Sequence, residues 1–319
     1  MQVSLLEKDK NVSKFTKDQL SIFWLPDEPK VEKDIQDILV NLTEAEKHGV
    51  LTVLKLFSLY EISAGKDYWG GRFQAMFPNR IEYMKMANAF SFFEINVHLP
   101  FYNRINELLH LNTDEFYSSY VKDETLKSRM DFISNVIDHP NDLYSLAVFS
   151  MVEGVILYSS LAFLKHFQSK GKNKLLNVVR GANFSVRDEN LHSIGGAYAF
   201  RDKLSNSNLA DEQIQNLKDT IYKAANSLCE HEFRIIEMIF ERGSIDGITE
   251  KQMKHFVESR VNLVLQQLAL EPLFKVDYNP IQDWFYAGIT GFQYNDFFSG
   301  IGASYSREWS ESEFTWGNK

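Results

Sequence analysis

The chain has 319 residues, 44% of them hydrophobic and 24% charged, with a net charge of −9. That is enough apolar material to bury a large core, which excludes disorder for most of the chain. The negative balance, with no Lys/Arg cluster, excludes a footprint on nucleic acid, and the single cysteine, Cys229, excludes an internal disulfide and a thiolate metal site.

The opening stretch MQVSLLEKDKNVSK has no apolar segment followed by a small-residue cleavage site, so no secretory signal is expected and a cytoplasmic location is the working expectation. Residues 1–29 are read as an extended N-terminal arm, followed by a short helix near 31–39. A long helix fits 43–66, opened by Thr43 and Glu46 in a capping-box pattern. The next long helix fits 79–111 and a shorter one 114–135. Asn141, after Pro140, is the expected N-cap of a helix over 141–169, whose stretch Ser145 to Leu164 is apolar and as long as a membrane span. Glu153 sits near its middle, and a lone carboxylate facing lipid is costly, so this stretch is read as the buried central helix of a bundle and no membrane is expected. Helices over 173–205, 211–242 and 250–270 follow, with Asp211 as an N-cap and Gly171, Gly243 and Gly247 as stops, and a last helix near 280–298. Alternating strand patterns are scarce, and no Pro-, Gly- or Ser-rich linker divides the interior. One all-α domain over 1–299 is therefore expected. Residues 300–319 are read as a flexible tail whose aromatics Tyr305, Trp309, Phe314 and Trp316 suit a partner surface.

The residues with chemistry lie on the long helices. In Arg187-Asp188-Glu189-Asn190-Leu191-His192, Glu189 and His192 are three apart and share a helix face, as two ligands of one metal would. Such a pair also arises by chance on surfaces. Glu153 lies in the apolar run MVEGVILYSS, where a charge needs a partner; pairing with an arginine or snorkelling at a helix end are its other readings. Glu94 and His98 sit on the helix before it, and in isolation they also fit a core histidine with a surface glutamate. Glu61, in LFSLYEISAG, offers a fourth carboxylate or an ordinary surface one. Read together, the order is Glu, Glu with His, Glu, Glu with His. That is the donor set of ferritin-like dimetal bundles, and oxygen ligands with one imidazole per metal suit iron or manganese.

FWLPDE around Trp24, the VEG around Glu153, RDENLH at 187–192, Asn279-Pro280, and DFF followed by Tyr305 resemble, in this order and at similar intervals, the small subunit of class I ribonucleotide reductase over about residues 22–305. The resemblance implies a ferritin-like helical bundle holding a dinuclear metal centre on Glu61, Glu94, His98, Glu153, Glu189 and His192. Two irons are expected, with manganese or a mixed manganese–iron pair as alternatives. It also implies a stored radical on Tyr102, four residues after His98, and radical transfer through Trp24, Asp188 and His98 within the chain and Tyr305 in the tail. The partners implied are the large catalytic subunit, docked through the tail, and a second copy of this chain in a homodimer. The reaction implied is reduction of ribonucleotides to deoxyribonucleotides, in which this chain is the radical-generating subunit. With a single cysteine and no phosphate-cradling glycine loop, it should reduce nothing alone. The rival readings are a ferritin-like oxidase or desaturase acting on its own apolar substrate, and a storage or purely structural bundle.

The chain departs from the family pattern twice. Glu61 stands where most members carry aspartate. Glu94 and His98 are four apart, where the family has Glu-x-x-His. Four helical steps leave two side chains about 40° apart and three leave about 60°, so both share a face. A one-residue π-bulge absorbs the extra residue, and Pro100 cannot donate to the carbonyl of Asn96. The sequence therefore predicts a kink or wide turn within 94–101. Leu157, Leu161, Phe92 and Phe101 are the expected apolar wall around Tyr102.

Overall fold

The computed structural model describes residues 6–290, and among them the fold is helical throughout, without a strand. The all-α expectation holds. Residues 291–319 lie outside the described part, and with them Tyr305, the expected tail and the far end of the predicted 280–298 helix.

The first departure is in the N-terminal arm. Lys10–Ser21 form a helix, α1, capped by Asp9, whose carboxylate accepts from Asn11 N at 2.8 Å. Its buried residues are Val12, Ser13, Phe15 and Gln19. Two apolar residues are too thin a signal for a helix in the sequence, and the packing that stabilises α1 is tertiary. After a 3₁₀ turn at Val31–Asp34 and a π turn at Asp37–Asn41, α2 (Glu44–Ile62) begins at the predicted capping box: Glu46 N donates to Thr43 Oγ1 and Thr43 N to Glu46 Oε2.

The helix does not end at 66. It runs on as a π-helical segment, Ser63–Phe73, closed by the short α3 (Gln74–Met76). Gly65 lets this segment press against the next helix, since a Cβ there would lie 2.7 Å from Glu94 Cβ. The wider turn carries Tyr68 and Trp69 into the core.

Next come α4 (Ile81–Phe93), a π turn at Glu94–His98, and α5 (Leu99–Leu108). Leu99 N bonds the carbonyl of Glu94, five residues back, which is the wide turn the Glu94/His98 spacing calls for. Pro100 falls just after it, in the first turn of α5, where a missing N–H is tolerated.

The predicted 114–135 helix is two: α6 (Asp114–Lys122) and α7 (Glu124–Ile137), split at Asp123, whose carboxylate caps α7. The predicted 141–169 helix is also interrupted. α8 (Asp142–Val155) starts at Asn141 as expected, Leu157 then takes a left-handed conformation at φ 72°, and α9 (Tyr158–Lys165) follows. Gly154 O, which a continuous helix would bond to Tyr158 N, instead accepts from Arg260 Nε at 3.0 Å. This whole apolar stretch is buried inside the fold, as the reading of Glu153 required.

α10 (Leu176–Ser205) has no side-chain cap of its own. Asp34 caps it from outside, accepting from Asn177 N at 2.6 Å and Val178 N at 2.7 Å. α11 (Asp211–Ile239) begins one residue earlier than expected: Ala210 is the N-cap, Asp211 the first helical residue, and Gln213 accepts from Ala210 N. α12 (Glu250–Gln267) and α13 (Pro280–Thr290) complete the described chain.

α8 and α10 lie along one another at the centre. Small residues set their separation: a Cβ on Gly154 would come 2.5 Å from Ser193 Oγ, and one on Gly196 would come 2.6 Å from Ser150 Oγ. Ser193 Oγ donates to Ser150 O at 2.8 Å across the same contact. The close approach brings Glu153 of α8 beside Glu189 and His192 of α10. Behind it, a fully buried ion pair joins α7 to α11, with Arg129 Nε donating to Glu232 Oε1 at 3.0 Å and Ser159 of α9 to Glu232 Oε2 at 2.7 Å.

Candidate metal centre

Four helical stretches deliver six side chains to one point in the core. Glu61 comes from the end of α2, Glu94 and His98 from the π turn after α4, Glu153 from α8, and Glu189 and His192 from one face of α10. All six are essentially buried. They form two overlapping groups, Glu61, Glu94, His98 and Glu189, and Glu94, Glu153, Glu189 and His192, each with its ligand atoms within 4.8 Å of one another. Glu94 and Glu189 belong to both groups.

The imidazoles present Nδ1 inward. His98 Nδ1 lies 3.1 Å from Glu94 Oε2, 3.3 Å from Glu189 Oε1 and 3.5 Å from Glu61 Oε2. His192 Nδ1 lies 2.6 Å from Glu94 Oε1 and 3.7 Å from Glu153 Oε2. Both outer nitrogens are occupied elsewhere: His98 Nε2 bonds Asp188 Oδ2 at 3.0 Å and His192 Nε2 bonds Gln19 Oε1 at 3.0 Å. Each ring is thus fixed in the tautomer that leaves Nδ1 free for a ligand.

Both oxygens of Glu61 and Oε2 of Glu189 make no hydrogen bond, and Oε1 of Glu94 and Nδ1 of His192 have only each other, at 2.6 Å. Orphaned carboxylate oxygens in a dry core are a large penalty unless something positive sits among them. The electrostatics agree. Burial, reinforced by the charge of Glu94, pushes Glu61 and Glu189 well above the usual carboxylate range. Burial also opposes charge on Glu94 and on the rings. There the mutual attraction prevails, holding Glu94 well below its usual value, raising His98 well above it and taking His192 to about 10. Protons do here what cations would do better, since four carboxylates match the charge of two divalent ions. The donor set therefore fits a dinuclear metal centre.

A hydrogen-bonded shell surrounds it. Asp188 accepts through Oδ2 from Trp24 Nε1 at 2.8 Å and through Oδ1 from Gln19 Nε2 at 3.2 Å. Trp24 stacks on the His98 ring at 5.9 Å, and Arg187 ties the approach to Trp24 onto α10 by donating to Ile22 O. Trp69 Nε1 donates to Glu153 Oε1 at 2.6 Å and Tyr60 to Glu153 Oε2 at 3.3 Å.

Tyr102 is 1% exposed, one helical turn past His98, with its hydroxyl donating to Ser185 Oγ at 3.0 Å. Phe57 stacks on its ring at 3.9 Å and 5°, and Phe101 meets it edge-on at 4.9 Å. Of the expected wall, Leu157, Leu161 and Phe101 are buried, but Phe92 is 46% exposed and packs on Phe23 instead. Phe92 lies two residues before Glu94, about 160° round the helix from it, so with Glu94 turned inward Phe92 faces out.

Gln19, Phe57, Tyr60, Trp69 and Ser185 were not legible as site residues. Gln19 and Trp69 lie in stretches with no strong helical pattern, while Phe57 and Ser185 each precede a ligand by four residues, a spacing that could have flagged them.

A family model for the small chain of ribonucleotide reductase matches residues 5–280. The chain belongs to that family. It is similar to a probable ribonucleoside-diphosphate reductase small subunit of invertebrate iridescent virus 3, at 22% identity over 92% of this chain and 81% of the viral one. It is also similar to the ribonucleoside-diphosphate reductase subunit beta of Treponema pallidum, at 24% identity over 83% of this chain and 75% of that protein. The fold matches the dimanganese(II) NrdF of Streptococcus sanguinis with a TM-score of 0.77 at 22% identity, over 91% of this chain and 99% of that one. The R2 subunit of Clostridium botulinum gives 0.76 at 19% identity, over 88% and 89%. The bundle is thus ferritin-like, and the chain is the small subunit of a class I ribonucleotide reductase, an oxidoreductase. The independent oxidase or desaturase reading is not favoured.

Proposed function

We propose that Glu61, Glu94, His98, Glu153, Glu189 and His192 hold two metal ions and that Tyr102 is the residue whose radical this subunit stores. The observation that carries the reading is the pair of overlapping four-residue groups with both Nδ1 atoms turned inward. Oxygen donors with one imidazole per ion favour iron or manganese. Two irons are the first expectation; a manganese pair or a mixed pair fits the same donors. Bound there, a redox-active metal pair supplies the oxidising power that converts a nearby phenol to a phenoxyl radical.

The chain's own residues do the rest. Phe57 and Phe101 cover the Tyr102 ring and keep water from it. Asp188 holds the Nε2 proton of His98 and the indole proton of Trp24 on one oxygen, a path along which an electron and a proton can pass between Trp24 and the centre. Beyond the described residues, Tyr305 would carry the radical onward and 300–319 would dock on the large subunit, where ribonucleoside diphosphates are reduced. A homodimer in the cytoplasm, with residues 1–299 as one helical domain, completes the proposal.

The test is metal analysis with low-temperature electron paramagnetic resonance, after reconstitution with iron or manganese and oxygen, of the wild type and Tyr102→Phe. Two metals per chain and a tyrosyl signal lost in the variant are expected. A signal that survives Tyr102→Phe places the radical elsewhere.

A further inference from the structure

The hydrogen bond of Tyr102 goes to a neutral partner. Its hydroxyl donates to Ser185 Oγ at 3.0 Å, and both groups are buried. Glu61 is the carboxylate whose charge most strongly disfavours ionisation of this phenol, after burial itself. Yet neither Glu61 oxygen makes a hydrogen bond, so the phenol is not tied to that ligand. Phe57 stacks on the ring and Phe101 meets it edge-on, and neither offers a donor or acceptor.

Ser185 reaches Tyr102 from α10, exactly one i,i+4 step before Glu189, so hydroxyl and ligand line the same helix face. A serine on a buried helix face often turns back to bond a carbonyl of its own helix; here its oxygen is the acceptor for a side chain on another helix. A serine hydroxyl is both donor and acceptor, and it rotates to suit. A phenol presents a proton, whereas a phenoxyl radical has none and can only accept.

We infer that Ser185 is a positioning residue for the radical site: it accepts a hydrogen bond from Tyr102 in the resting phenol and, once the phenol has given its electron to the oxidised metal pair and its proton to the carboxylates of the centre, it rotates to donate a hydrogen bond, keeping its own proton, to the phenoxyl oxygen. The inference rests on the reading that Tyr102 stores the radical. A donated hydrogen bond withdraws electron density toward the phenoxyl oxygen, lowers the largest principal g value and places an exchangeable proton beside the spin. It also holds the ring in one orientation against Phe57. Alanine removes both functions, and threonine keeps both.

The experiment uses the full chain reconstituted with metal and oxygen. High-field electron paramagnetic resonance and deuterium electron–nuclear double resonance, after exchange into D2O, are recorded for the wild type, Ser185→Ala, Ser185→Thr and Tyr102→Phe. The expected result is an exchangeable deuteron coupling in the wild type and Ser185→Thr. In Ser185→Ala that coupling is absent, the largest g value is higher and the radical decays several-fold faster. A coupling and g value unchanged by Ser185→Ala overturn the inference. Infrared spectra of the metal-free protein with ring-labelled tyrosine provide the second arm. The C–O band assigned by its loss in Tyr102→Phe shifts in Ser185→Ala if the resting bond exists, and an unshifted band overturns it. A shifted band in a protein that forms no Tyr102-dependent radical overturns the radical reading and the donor role built on it, while leaving the resting bond established.

Discussion

Asp188 Oδ2 accepts from Trp24 Nε1 at 2.8 Å and from His98 Nε2 at 3.0 Å, so one carboxylate oxygen joins the first tryptophan of the chain to the inner histidine of the centre. Its other oxygen takes a bond from Gln19, whose amide oxygen bonds His192. The outer nitrogens of both imidazoles are thus linked through two side chains, Asp188 and Gln19.

Removing either link should weaken metal binding, because a ligating imidazole loses the partner that sets its tautomer and orientation. Asp188→Ala and Gln19→Leu are each expected to lower affinity about 10- to 100-fold. Manganese titration against a chelating dye measures it. Equal affinity in Gln19→Leu and wild type would remove Gln19 from the site.

Gly181 of α10 leaves room for the Phe101 ring: a Cβ there would lie 2.0 Å from it, and Phe101 packs against both Tyr102 and Trp24. Gly181→Ala should displace that ring, cost about 1–3 kcal/mol by overpacking, and shorten the life of the Tyr102 radical. Chemical denaturation and the decay of the tyrosyl signal check the two halves separately.

Arg129 and Glu232 are a fully buried pair. Arg129→Met leaves a buried carboxylate uncompensated and should destabilise by about 3–5 kcal/mol, whereas the double variant with Glu232→Leu should recover most of that loss. Denaturant midpoints of the single and double variants measure it; a double variant no better than the single would mean that packing, not charge, dominates there.

Lys165 is buried on α9 and donates to Phe285 O at 2.6 Å, anchoring α13. Burial lowers its pKa from 10.5 to about 7. Between those values the unfolded chain binds the proton that the folded chain has released, so this lysine makes stability rise with pH from about 7 toward 10.5, by at most about 1.4 kcal/mol per unit. The penalty is full below pH 7 and gone above the unfolded value. Unfolding free energies of wild type and Lys165→Met at pH 7, 8 and 9 should converge as pH rises.

Much of the centre could be read before any coordinates. Glu153 was marked as a candidate ligand by its place in an apolar run, and Glu189 with His192 by a three-residue spacing that puts both on one helix face. Even the irregular turn at 94–98 was legible, because Glu94 and His98 stand one residue further apart than the family pattern and Pro100, which cannot donate to Asn96 O, follows them. Other irregularities were not. The π segment at 63–73 depends on how Gly65 fits against Glu94, and the break at Leu157 on Arg260 reaching Gly154 O from α12. Neither cause is local in sequence.

Helix periodicity and the cost of burying a charge were enough, from the sequence by itself, to determine an all-helical bundle and to single out Glu153, Glu189 and His192, while Glu61, Glu94 and His98 joined the candidate set through the order of the donors and the family resemblance. Only the tertiary structure decided which nitrogen of each histidine faces inward, that Gln19 and Trp69 brace the ligands, and that Tyr102 bonds Ser185. The physical reason is range. Periodicity and capping act over a few residues, whereas Gln19 meets His192 across 173 positions and Tyr102 meets Ser185 across 83, contacts that exist only once the helices have packed.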